Sequence, residues 1–132
     1  MSVFVDASAF VAALDADDVR HPQARALWLK LLQSQERLAT TNYVGLETVA
    51  VAQRRLGVDA VATLAESFFP WTDVIWVTEW EHSAAMTAVL AARRRHLSLV
   101  DCVSFEVMRR LGLSRCFTFD PHFAEMGFEC LR

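Results

Sequence analysis

Lysine is almost missing from this sequence. Lys30 is the only one, so the 13 basic residues are nearly all arginine, and against 16 acidic residues they leave a formal net charge of -3. That balance argues against a general nucleic-acid coat or a membrane-surface protein. It does not exclude a nuclease, because site acids count against the total while a bound metal reverses their local sign. Arginine in place of lysine has a plain compositional reading; a guanidinium fork also suits phosphate recognition. Cysteine is sparse as well. Cys102, Cys116 and Cys130 form no Cys-x-x-Cys pair, so neither a zinc site nor a disulfide framework is indicated. Each is expected as a small buried apolar residue in a reducing compartment. The N-terminus lacks a basic region followed by a long apolar one, so no signal peptide is expected. The apolar stretch from Ser2 to Leu14 is broken by Asp6 and is too short to span a bilayer. A cytoplasmic protein without a membrane partner is the expectation. Internal repeats, low-complexity tracts and linkers are also missing.

What is present is a chain of 132 residues with a hydrophobic fraction of 54%. The length suits one domain over 1–132, burying roughly two-thirds of its unfolded surface without a disulfide staple. The apolar fraction predicts a full core with apolar surface left for a partner. Apolar runs predict strands at Ser2–Val5, Val74–Val77, Arg115–Phe119 and Phe128–Leu131, and a brief strand or turn at Arg37–Thr41. Helical spacing predicts helices over Ser8–Asp15, from His21 onward, over Tyr43–Leu56 with Asn42 as its cap, Val58–Phe69, Glu79–Arg95 with a basic end, Ser98–Leu111 and Pro121–Met126. Strands alternating with helices imply an α/β fold, a parallel sheet covered on both faces. Ligands of such folds bind beyond the carboxyl ends of the strands.

Four carboxylates stand where carboxylates are costly. Asp6 closes the first strand, and Asp120 follows the run Cys116-Phe117-Thr118-Phe119. Glu47 shares a helical stripe with Val44 and Val51. Asp101 shares one with Leu97, Phe105 and Met108. A single acid of this kind usually serves a helix cap or a core hydrogen bond. Four together, with no basic residue built in beside each, call for a cation. Hard oxygen ligands suit Mg²⁺ or Mn²⁺ rather than zinc. One or two such ions can hold a phosphodiester, activate a water and stabilise the leaving oxygen. Ser8 and Thr118 each lie two residues from a strand-end acid. Their hydroxyls either orient a carboxylate or serve as an N-cap and a β-favouring residue.

Taken in order, Val5-Asp6-Ala7-Ser8, Thr41-Asn42-Tyr43-Val44-Gly45-Leu46-Glu47-Thr48, Leu97-Ser98-Leu99-Val100-Asp101-Cys102 and Phe117-Thr118-Phe119-Asp120-Pro121-His122-Phe123 resemble the PIN-domain ribonucleases. The resemblance is greatest to the VapC-type toxins of bacterial toxin–antitoxin pairs and covers nearly the whole chain. It implies a three-layer α/β/α sandwich with a short, mostly parallel central sheet. It implies a Mg²⁺- or Mn²⁺-dependent endoribonuclease acting on RNA, a homodimer and a cognate antitoxin. By position, Asp6, Glu47, Asp101 and Asp120 would hold the metal, with Thr118 assisting catalysis. The alternative is a PIN-like module that binds RNA or protein without cutting. A dehalogenase-like phosphatase needs a second aspartate where Ser8 stands, and a response-regulator receiver needs a late lysine.

The remaining polar and aromatic residues have plainer readings. His122 reads as a loop residue, His21, His82 and His96 as surface. Arg93-Arg94-Arg95-His96 reads as a solvated helix end that can also meet RNA phosphates. Trp76 is expected in the core. Phe68, Phe69 and Trp71, around Pro70, are expected to form an exposed apolar patch for a dimer or antitoxin contact.

Overall fold

The computed structural model describes residues 2–132. Its central strand, β1 (Ser2–Val5), has Val3, Phe4 and Val5 fully buried. Burial on both faces is why the run is apolar throughout rather than alternating. β2 (Arg37–Thr41), β3 (Asp73–Ile75), β4 (Arg115–Phe117) and β5 (Glu129–Leu131) complete a five-stranded sheet in the order β3-β2-β1-β4-β5. Every neighbouring pair is parallel, with Val3 beside Leu38 and Phe4 beside Cys116. The chain moves outward from β1 through β2 to β3, then returns to place β4 on the other side of β1. The carboxyl ends of β1 and β4 therefore flank the reversal point, where a crevice opens in sheets of this kind.

Two groups of helices cover the sheet. α1 (Ala7–Leu14), α2 (His21–Gln33), α3 (Asn42–Leu56) and α4 (Val58–Thr63) connect β1, β2 and β3. α5 (Glu79–Ala92), α6 (Leu99–Leu111) and α7 (Pro121–Glu125) lie on the connections to β4 and β5. Right-handed crossovers in opposite directions place the two groups on opposite faces. Phe10, Trp28, Phe68 and Phe69 pack as one aromatic cluster in the first layer. Phe105, Phe123 and Phe128 do the same in the second. Buried Glu81 closes a capping box at Thr78 and pairs with Arg110, tying α5 to α6. The parallel sheet covered on both faces that the alternation predicts, and the α/β/α sandwich that the resemblance implies, are the fold observed.

Several local expectations are corrected. The cap of α3 is Thr41, whose Oγ1 accepts from the N–H of Val44 at 3.1 Å. Asn42 is already helical, and its Oδ1 accepts instead from the N–H of Val77 at 2.8 Å. The segment expected as one helix to Phe69 stops at Thr63, continues as a π-helical turn over Leu64–Phe68 and ends in a 3₁₀ turn over Phe69–Trp71. The widened turn brings Phe68 and Phe69 onto Trp28 and Phe10, so these two rings pack inward instead of forming an exposed patch. α5 ends at Ala92 because Arg93 turns left-handed at φ 53°, so its last turn holds no basic residue. Arg94 then reaches Glu125 of α7 at 2.9 Å. β3 ends at Ile75, and Trp76 lies beyond it at 75% exposure, not in the core. His21 and His82 are not simply surface residues: His21 Nδ1 lies 2.8 Å from the Ala12 carbonyl, and His82 Nδ1 lies 2.6 Å from the Tyr43 hydroxyl.

Candidate active site

Four elements deliver the four acids to one edge of the sheet. β1 ends at Val5, and Asp6 follows it as the cap of α1. β4 ends at Phe117, and Asp120 caps α7 three residues later. α3 carries Glu47 on the stripe of Val44 and Val51, and α6 carries Asp101 at the third position of its capping box with Ser98. α3 and α6 touch each other, which brings the two helical acids into range of the strand-end pair. The plain reading of these acids as caps is correct for three of them. It does not exhaust them, because the caps leave oxygens over. Asp101 accepts from the N–H of Ser98 through Oδ2 at 3.1 Å, and Asp120 accepts from the N–H of His122 through Oδ1 at 2.9 Å. Among the described residues, the second oxygen of each has no protein donor, and Glu47 has none on either oxygen.

A hydroxyl web fixes the pair at the strand ends. Oδ2 of Asp6 accepts from the hydroxyls of Ser8 and Thr118, each at 2.9 Å. Thr118 Oγ1 also accepts from the N–H of Asp120 at 3.0 Å, and Ser8 Oγ accepts from the N–H of Phe119 at 2.9 Å. The strand expected to reach Phe119 stops at Phe117, so Thr118 lies beyond it and links the two acids, and Ser8 is not the N-cap, which is Asp6, but a residue inside α1 whose hydroxyl holds that acid.

The electrostatics record the crowding. Burial pushes the Glu47 carboxyl up to about 7, and the negative charges of Asp6, Asp101 and Asp120 add to the rise. Burial likewise pushes Asp101 up to about 6; Asp120 and Asp6 add to this, while its hydrogen bonds to Ser98 oppose it. Asp6 is raised too, because burial outweighs its hydrogen bonds from Ser8, Thr118 and the Ala7 backbone. Among the described residues no arginine or lysine comes within ion-pair distance of any of the four. A carboxylate set with no arginine or lysine counter-ion favours binding of an external cation.

A divalent cation fits the donors. The carboxylates offer hard oxygen ligands of the type Mg²⁺ and Mn²⁺ take. Ligand atoms of Asp101, Asp120 and His122 lie within 4.8 Å of one another. His122 does not behave as the loop residue its sequence suggests. α7 folds it back against the acids, with Nδ1 at 2.7 Å from Asp120 Oδ1 and 3.9 Å from Asp101 Oδ2. The closer approach is not aligned as a hydrogen bond, so Nδ1 is the one buried side-chain nitrogen or oxygen without a partner among the described residues. The only signal in the sequence is its position two residues after Asp120.

The acids line a cleft of about 440 Å³, whose walls also include Val11, Asp18, Arg20, Val51, Arg55 and Phe119. Arg93 and Arg95, just beyond the end of α5, are not among its lining residues.

A model of the PIN domain matches residues 3–129. The chain is 34% identical over 131 residues to the 23S rRNA-specific endonuclease VapC20 of Mycobacterium tuberculosis, covering 98% of each protein. The crystal structure of that VapC20, described as a sarcin-ricin loop cleaving toxin, aligns with a TM-score of 0.83 over 96% of this chain and 95% of the other. VapBC2 from Rickettsia felis, bound to a DNA fragment from their promoter, aligns at 0.68 with 12% identity over 99% of this chain and 98% of that one. FitAcB from Neisseria gonorrhoeae aligns at 0.69 with 13% identity over 100% and 97%; these two share the fold. The acids at the sheet edge, the parallel five-stranded order and the match along almost the whole length converge: the chain belongs to the PIN-domain family, on its VapC-type branch.

Proposed function

We propose that this chain, as one nuclease domain, is the endoribonuclease toxin of a toxin–antitoxin pair and hydrolyses RNA phosphodiester bonds with Mg²⁺ or Mn²⁺. The observation that carries the reading is the convergence of Asp6, Glu47, Asp101 and Asp120 from four elements, with no arginine or lysine partner among the described residues, in a cleft at the reversal point of the sheet. These four would hold the metal, and His122 stands beside two of them. A cation bound there supplies Lewis-acid polarisation of the phosphate, a more acidic attacking water and a stabilised leaving oxygen.

The chain's own residues set the geometry. Thr118 and Ser8 hold one oxygen of Asp6 in place, which orients its carboxylate. Thr118 also fixes the backbone at Asp120, so the two strand-end acids keep a constant separation. Glu47 is the acid with no donor among the described residues and the carboxyl raised to about 7, so it is the one most dependent on the cation for its charged form.

The 23S rRNA specificity of VapC20 makes a sarcin-ricin loop fragment the first RNA to try. No helix among the described residues is long and apolar enough to cross a membrane, which suits action in the cytoplasm. Exposed Trp71, Trp76 and Trp80 support a homodimer and a protein antitoxin as partners, since large aromatics left in water usually mark surface meant for burial. The experiment is cleavage of ribosomal RNA by the purified protein with Mg²⁺, with Mn²⁺ and with excess EDTA. Cleavage in both metals and none in EDTA is expected, with Asp6→Asn inactive. Undiminished cleavage in EDTA would overturn the metal mechanism.

A further inference from the structure

Five carboxylates line the cleft, namely Asp6, Asp18, Glu47, Asp101 and Asp120, and RNA is a polyanion. Five carboxylates outnumber the two positive charges of one divalent cation. The walls hold two positive side chains, Arg20 and Arg55. Resting on the ribonuclease reading above, we infer that Arg20 and Arg55 bind backbone phosphates of the RNA near the bond that is cut.

Three observations support this. Neither arginine forms an ion pair among the described residues, whereas Arg37, Arg94, Arg109, Arg110 and Arg115 are engaged with carboxylates; of the arginines left unpaired, these two line the cleft. Both are exposed, so each guanidinium can turn to a ligand. Their placement is also directional. Glu47, Val51 and Arg55 follow one another at single-turn spacing on α3, and all line the cleft. The rise of a helix, about 1.5 Å per residue, sets Arg55 about 12 Å along the axis from Glu47. That offset suits phosphates next to the one at the acids along an extended strand.

Arg20 stands at the entry to α2, with its guanidinium carbon 4.9 Å from the centre of the Phe119 ring. Phe119 is held by the Ser8 hydroxyl and precedes Asp120 in the chain. Arg20 is thereby parked beside the acids by a cation–π contact, which leaves its fork of donors free for phosphate. The mixed charge of the cleft then has a division of labour: acids for the cation, arginines for the flanking backbone.

Binding to backbone phosphates leaves a salt signature that a merely structural role does not. For single-stranded nucleic acid, the slope of log affinity against log salt changes by about 0.7 for each phosphate that is no longer neutralised. The test uses a fluorescein-labelled single-stranded RNA of about 16 nucleotides, within the site sizes typical of single-strand binders. It is run with Mg²⁺ in the Glu47→Gln background to suppress cutting and read by anisotropy from low to moderate salt. Arg20→Ala and Arg55→Ala should each weaken binding roughly five- to tenfold at low salt and flatten the slope by about 0.7. Arg20→Lys and Arg55→Lys should recover most of the slope, and Arg93→Ala with Arg95→Ala should leave it unchanged. Unaltered slopes for Arg20→Ala and Arg55→Ala, or an effect confined to Arg93 and Arg95, would overturn the assignment. Cleavage by the parent protein is scored separately. Cutting with unaltered slopes removes the arginines alone, while altered slopes without cutting remove the ribonuclease reading and leave the arginines as RNA-binding groups.

Discussion

Replacing Glu47 by glutamine takes one negative charge out of the acid cluster and keeps its shape. Glu47 accepts no protein hydrogen bond among the described residues, so the substitution breaks no structural hydrogen bond. Its carboxyl is raised from 4.5 to about 7 by burial and by Asp6, Asp101 and Asp120. At about 1.4 kcal/mol per pKa unit, that gap bounds the destabilisation of the charged form at about 3 kcal/mol. The side chain is only half-buried, and solvent screening reduces the figure to about 1–2 kcal/mol. The sign follows from linkage. A carboxyl whose folded pKa is raised binds more protons folded than unfolded between 4.5 and about 7. Stability therefore falls as pH rises through that window and is level above it. Glutamine does not titrate. In EDTA the two proteins should unfold alike near the lower edge of the window, and Glu47→Gln should be the more stable by about 1–2 kcal/mol at about pH 8. Mg²⁺ stabilises the native state only as far as its affinity allows, so the ion should stabilise the variant less and narrow or invert the gap. Urea unfolding at both pH values, with EDTA and with Mg²⁺, reads all of these. A variant less stable than the parent at the higher pH in EDTA, or an unchanged response to Mg²⁺, would refute the account of Glu47 as a strained ligand.

Two further outcomes are expected. Thr118→Val removes the donor to Asp6 and the acceptor for the Asp120 N–H; it should cost about 1–3 kcal/mol in urea unfolding and lower RNA cleavage sharply, while Thr118→Ser keeps most of both. Equal cleavage by the valine variant would remove Thr118 from the positioning web. In sedimentation at tens of micromolar the protein should run at twice the chain mass, and a monomer there would count against the dimer.

The alternation of apolar runs with helical stripes was enough to specify strands, helices and their layering, because each depends on local periodicity and a few breakers. Val3, Phe4 and Val5 announce a doubly covered strand. Gly112 announces the end of α6 by taking φ 68°, where other residues are strained. The four acids were legible for a related reason: Glu47 and Asp101 interrupt apolar helical stripes, Asp6 and Asp120 follow apolar strand runs, and a carboxylate that breaks the pattern around it shows without coordinates. Exposure of Trp76 was not legible, since a tryptophan after a strand looks the same whether a neighbouring layer covers it or not. Nor was the π turn that carries Phe68 and Phe69 inward, because it answers to Phe10 and Trp28, far back in the chain. His122 and Arg20 look like ordinary polar residues in sequence. Only the crossing of β4 beside β1, and the return of α2 and α7 over that edge, decides that they stand next to the acids. What the pattern of residue types determined was which groups need partners. Which groups meet was decided by packing between distant segments, whose energies depend on separation in space and not along the chain.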